Sequence, residues 1–175
     1  AGVSFVAFLV PGLTMMALQQ SAFTNVGYSI VEQKVHRSIE DVLGSSLTAH
    51  EITIGLVLSG ATCGLLVGGV SLAAMAVFAP VAMHAWGLVV FHAVAAALMV
   101  SLLAVMVGVW GEKFDHVAAV ITLVFMPLSF LSGTFFTLDR LPEAGRVLMT
   151  WNPFFYAIDG FRYGFIGHAD LPVWQ

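Results

Sequence analysis

The run ITIGLVLSGATCGLLVGGVSLAAMAVFAPVAMHAWGLVVFHAVAAALMVSLLAVMVGVWG, residues 52–111, contains no Asp, Glu, Lys or Arg in 60 consecutive positions. A helix that crosses the hydrocarbon layer needs about 20 apolar residues, so this run holds two crossings. The turn between them is expected near Pro80, with Trp86 at an interfacial level where an indole is half wet. Residues 1–31 and 117–138 also lack all four charged types, and each adds one crossing. The expected fold is an all-α integral membrane protein, a helical bundle with four visible spans near 5–31, 53–79, 87–110 and 115–134. The first would be roughly 40 Å long at about 1.5 Å per residue, longer than the hydrocarbon layer, so one end should tilt or protrude into water.

Composition agrees. Of 175 residues, 59% are hydrophobic and 9% charged, whereas soluble domains are about one quarter charged. The length suits one domain, and a net charge of −4 carries no basic excess of the kind that binds nucleic acid. Cys63 is the single cysteine, so no disulfide or cysteine-based metal site can form within the chain, and it reads as a small packing residue. His84 and His92 have no carboxylate between them, and His50-Glu51 runs on to Ile54 where a zinc-protease motif needs its second His. No glycine-rich phosphate loop with its Lys is present, so no cofactor is expected in this chain and nucleotide is not hydrolysed by it. The first run lacks the layout of a signal peptide and begins with Ala, which suggests a piece of a longer protein.

Gly60, Gly64 and Gly68 recur every fourth residue, giving the second span a face without side chains, and such faces let membrane helices approach closely. They are expected to pack within the chain rather than form a dedicated dimer seam. Gln19, Gln20 and Asn25 are polar residues inside the first span. Each needs a partner or a water-filled cavity, and they either line a transport path or hold the bundle together by interhelical hydrogen bonds.

Two charged stretches separate the spans. In residues 32–51, Val35, Ile39, Val42 and Leu43 share one stripe of a short helix, with Lys34, Arg37, Glu40 and Asp41 opposite. Gly44 is placed to end it, and Thr48 with Glu51 forms a capping box for the next span. Such a helix is an interfacial anchor or a docking element for a cytosolic partner. The second stretch begins at Pro127, and Pro127, Gly133, Pro142 and Pro153 interrupt pieces too short to span. Asn152-Pro153 is a helix start, and the aromatic-rich piece after it suits an interfacial level. Broken backbone at membrane depth must be covered by protein, so residues 137–167 are expected to form an outer helical hairpin. Asp159 and Arg162, three apart, can pair along one face of it.

Several motifs, in order, resemble the membrane permeases of ABC type-2 transporters, in particular the bacterial drug, lipid and polysaccharide exporter branch. They are Phe8-Leu9-Val10-Pro11-Gly12, Lys113-Phe114-Asp115, Pro127-Leu128 through Ser132-Gly133, Leu141-Pro142, Asn152-Pro153 and Asp159-Gly160-Phe161-Arg162-Tyr163. The resemblance implies six spans, of which this chain holds the second to fifth. It implies that residues 32–51 form a cytosolic coupling helix seated on an ATPase subunit, with Val35, Arg37, Ile39, Glu40, Val42 and Leu43 as its contacts. It also makes residues 137–167 re-entrant on the outer side. The implied partners are that ATPase, which carries the ATP and Mg, a second permease copy in a homodimer, and the lipid of a bacterial inner membrane. One departure is Ser46-Leu47, where the family often has Pro. Lys and Arg are balanced, three to a side (Lys34, Arg37 and Lys113 against Arg140, Arg146 and Arg162), so charge alone does not orient the chain. An ATP-driven export permease is the leading reading. A non-transporting scaffold subunit and an intramembrane enzyme are the alternatives, the last disfavoured because no nucleophile-base pair or metal triad can be assembled.

Overall fold

One long helix organises the molecule. In the computed structural model, which describes residues 5–40, 44, 46–78, 84–130 and 153–166, helix α1 (Phe5–Val35) runs straight past the expected end at residue 31. It stops where Arg37 takes a left-handed backbone, φ 57°, a conformation that costs a non-glycine residue roughly 1–2 kcal/mol. The His36 N–H still donates to the Glu32 carbonyl at 2.9 Å, and the Arg37 N–H reaches the Lys34 carbonyl at 3.1 Å. This corrects the expected helix over 34–43. Val35 ends α1 while Ile39 lies beyond the turn at 36–38, so the two do not share one helical stripe. Val42 and Leu43 fall outside the described residues.

Helix α2 (Ala49–Phe78) begins at the capping box: the Thr48 N–H donates to Glu51 Oε2 at 2.7 Å and the Glu51 N–H to Thr48 Oγ1 at 3.4 Å. Helix α3 (Trp86–Trp110) is rich in Ala and Val and free of proline. Among the described residues, the stretches Ala49–Val77 and Trp86–Trp110 are each long and apolar enough to cross a membrane. Helix α4 (Phe114–Ser129) is shorter and widens to a π-helical turn over Ile121–Phe125. Pro127 lies two residues on; it has no N–H to donate to the preceding turn, and a π-turn is one way a helix absorbs such a break. Pro127 thus sits inside α4, within the span expected near 115–134. Helix α5 (Pro153–Ile166) starts at the expected Pro153. Gly133, Pro142 and Asn152 fall outside the described residues.

α1 packs against each of the other four helices. α2 lies antiparallel to it: a Cβ added at Gly64 would come 2.8 Å from Ala22 Cβ and from the Leu18 carbonyl, and one at Gly68 would come 3.0 Å from Leu18 Cβ. At Gly60 the added Cβ would meet Val26 Cγ2 and lie 2.7 Å from Ser101 Oγ on α3. The three glycines therefore bring α2 onto α1, with α3 behind. The other main junction is aromatic. Phe125, projected from the π-turn, meets Phe23 of α1 at a tilt, 5.1 Å between ring centroids, and Phe154 of α5 edge to face at 5.2 Å.

Candidate functional site

On the outer flank of the α1–α2 pair lies an open groove of about 460 Å³, lined by Ala17, Gln20, Ser21, Thr24, Asn25 and Cys63. Ser21 Oγ lies 3.5 Å from Cys63 Sγ, and the Ser59 hydroxyl donates to Asn25 Oδ1 at 3.4 Å. The hydroxyls of Thr24 and Thr62 turn back onto the carbonyls of Gln20 and Leu58, each at 2.7 Å. That leaves the carboxamides of Gln20 and Asn25 as the groups the groove offers a solute, with donors and acceptors but no charge. Gln19, expected alongside them, is instead fully buried. Successive helical residues point about 100° apart, so the face that exposes Gln20 turns Gln19 into the bundle. Its amide has no hydrogen-bond partner among the described residues.

At the Trp86 end, α5 lies antiparallel on α3. The N–H groups of His84 and Ala85 both donate to the Gly164 carbonyl at 2.9 Å. A Cβ at Gly164 would lie 3.2 Å from the Val89 nitrogen, and one at Gly160 would strike the His92 ring. That ring is held by its Nδ1, which donates to the Leu88 carbonyl at 2.9 Å. Asp159 and Arg162 are both buried on this helix, 5% and 3% exposed, at a depth where an isolated charge is costly. The sequence reading singled out Asp159 and Arg162 but passed over Gly160-x-x-x-Gly164, the same spacing it used on α2.

The opposite end is fastened by Lys34, which sequence reading placed on the polar side of a surface helix. Its Nζ donates to the carbonyls of Gly108, Val109 and Gly111 at 2.9, 2.5 and 2.9 Å. The last carbonyls of a helix have no intrahelical donor and carry the negative end of its dipole, so an ammonium there is well matched. Arg37 lies on the turn at 36–38, and Ile39 and Glu40 just past it, with Arg37 and Glu40 exposed and Ile39 half-buried. Among the described residues no cluster of His, Cys, Asp and Glu could hold a metal ion.

Long apolar helices joined through side-chain-free faces define a helical membrane protein. Its sequence matches the family model described as ABC-2 type transporter over residues 2–166. It is 38% identical over 172 residues to the inner membrane transport permease YadH of Escherichia coli, covering 98% of this chain and 67% of that protein. It is 27% identical to nodulation protein J of Rhizobium leguminosarum bv. trifolii, over 99% of this chain and 67% of the relative. With the same protein of Neorhizobium galegae it shares 28% identity, over 95% and 64%. No solved structure matches. The chain belongs to the ABC-2 type transporter family. It is a transport permease component of the bacterial inner membrane, and it spans about two thirds of the length of these relatives.

Proposed function

We propose that this chain forms the translocating core of an ATP-driven exporter: two copies enclose a path for an amphiphilic substrate, a drug, lipid or polysaccharide, and a separate ATPase subunit hydrolyses ATP with Mg. The observation that carries this reading is the uncharged groove of Gln20, Ser21, Thr24, Asn25 and Cys63 on helices otherwise faced with Val, Leu and Ala. An exposed carboxamide against lipid is costly, and polar residues inside spans face cavities or partners. A second copy closing over the groove would give those amides a water-filled lumen. In this reading four helices cross the bilayer, the Lys34 end is cytosolic, and residues 32–51 dock on the ATPase through Arg37 on the turn and Ile39 and Glu40 just past it. α5 is the ascending arm of a re-entrant outer hairpin, with Asp159 and Arg162 fixing its seat.

The test needs no substrate. In a Cys63→Ser background of the full-length protein in native membranes, single cysteines replace Asn25 in the groove or Leu66, which is 65% exposed on the apolar flank of α2. A charged, water-soluble methanethiosulfonate should modify the Asn25 position and spare the Leu66 position. Protection of both would show a dry groove and favour a packing role.

A further inference from the structure

The Lys34 contacts do more than close a helix end. An ammonium has three donors, and here all three go to carbonyls of one short stretch, Gly108, Val109 and Gly111. That stretch is both the end of α3 and the start of the connection into α4, which begins at Phe114. About two helical turns before Lys34 the same three helices touch without room for more atoms. A Cβ at Gly27 would lie 3.0 Å from Val117 Cγ1, and one at Gly108 would lie 2.9 Å from Ile30 Cδ1 and 3.4 Å from the Gly27 carbonyl. α1 is thus held to α3 and α4 by backbone-close packing, by Tyr28 against Phe114 at 6.0 Å between ring centroids, and at its end by the charged side chain of Lys34. Three residues past Lys34, the chain leaves helical geometry at Arg37.

From this placement we infer that Lys34 is a positioning residue that transmits displacement of the 36–38 turn to the α3–α4 connection, so that α1, α3 and α4 move as one body. The inference rests on the proposed docking of residues 32–51 to an ATPase, because that subunit supplies the displacement. The packing above Lys34 is apolar and non-directional. The three carbonyl contacts are directional and sit at the point where α1 hands over to the turn, so they decide whether the turn pulls α3 or merely bends away from it. A methionine of similar length keeps the apolar stem of the lysine and removes the donors; an arginine restores charge and donors.

The experiment places spin labels at Ser38 and Glu112, on either side of the Lys34 contact, in the full-length Cys63→Ser permease with its ATPase subunit. Without nucleotide, the Lys34 protein should give one narrow distance distribution, and Lys34→Met a distribution at least twofold wider. Lys34→Arg should bring the width back toward that of lysine. Equal widths for Lys34 and Lys34→Met would overturn the fastening. After trapping with Mg-ATP and vanadate, the distance should stay constant in the Lys34 protein and shift in Lys34→Met, because there the turn moves without the α3–α4 connection. Identical behaviour of the two in the trapped complex would overturn transmission. Failure of the ATPase to bind the Lys34 protein would remove the proposed docking and transmission with it, while the nucleotide-free widths still decide the fastening.

Discussion

Two of the glycine seams among the described residues are built differently. Between α1 and α2, Gly60, Gly64 and Gly68 meet Ala22, Leu18 and Val26, so the contact is helix backbone against small or aliphatic groups along three turns. Between α3 and α5, Gly160 and Gly164 meet a histidine ring and Val89, and the buried charges Asp159 and Arg162 share the helix. The first seam spreads its packing over repeated, equivalent positions. The second depends on a few unlike side chains in fixed places. A seam of the first kind resists any one small change in its partners but not an added side chain at its glycines, whereas in the second the outcome depends on which side chain is changed.

The largest expected effect breaks the second seam. Arg162→Ala removes a charged side chain that is 3% exposed on α5, with its packing and polar contacts, a loss on the order of 2–4 kcal/mol. Thermal unfolding of the detergent-purified chain should show this as a collapse of the folded fraction, while Arg37→Ala on the exposed turn should unfold like the parent. Similar melting of the two variants would mean that α5 does not rely on its buried charge.

The first seam is broken from the glycine side. Gly64→Val should cost at least the 1–3 kcal/mol typical of overpacking, since the new side chain meets the Leu18 carbonyl and Ala22 and neither can turn away. Gly69, one residue past the seam glycine Gly68, faces open space, and Gly69→Val should leave the melting temperature within a few degrees. If the two valine variants melt together, the close approach of α1 and α2 is not what holds them.

Gly160→Ala sharpens the contrast between seams. The atom it meets is the His92 ring, the end of a side chain, so the ring can swing aside at the expense of its bond to the Leu88 carbonyl. A loss of about 1 kcal/mol, the net worth of one hydrogen bond, is expected. Gly160→Ala with His92→Ala should then recover part of it, and an additive double variant would contradict the contact. The smallest effect has the opposite sign. Gln19→Leu removes a buried amide that lacks a partner among the described residues and should raise stability by somewhat under about 1 kcal/mol. A drop on that substitution would show that the amide is engaged.

Much of this was legible in the sequence because membrane helices advertise themselves by the absence of charge. The charge-free run at 52–111 set the start of α3 within a residue of Trp86, while Pro80, where the turn was expected, lies outside the described residues; the capping box of Thr48 and Glu51 reads the same in sequence and structure. The every-fourth-residue glycines of α2 marked a face before its partner was visible. What escaped reading were contacts set by which residue lies opposite. Lys34 looked like a surface charge because its three acceptors are backbone carbonyls more than seventy positions away, and carbonyls leave no mark in a sequence. Gly160 and Gly164 were overshadowed by the charged and aromatic residues between them. Gln19 and Gln20 are chemically identical neighbours, and only the tilt of α1 against its partners decides which one is buried. The short helix over 34–43 was misjudged because apolar spacing continues across a turn that a left-handed Arg37 interrupts.

The central claim is that this permease works under the control of a separate ATPase seated on residues 32–51, and the most direct measurement is co-purification of the full-length chain with that subunit from native membranes. The variant replaces Arg37, Ile39 and Glu40 together by Ala, removing the side chains that the proposed docking presents beyond α1, with each methylene lost from a buried interface worth about 0.8 kcal/mol. The account predicts normal abundance of the triple variant in the membrane, with loss of the ATPase and of vanadate-sensitive ATP hydrolysis from the purified sample. A triple variant that fails to reach the membrane but retains its ATPase would contradict it, because the segment would then be an anchor in lipid and the energy would have to enter elsewhere.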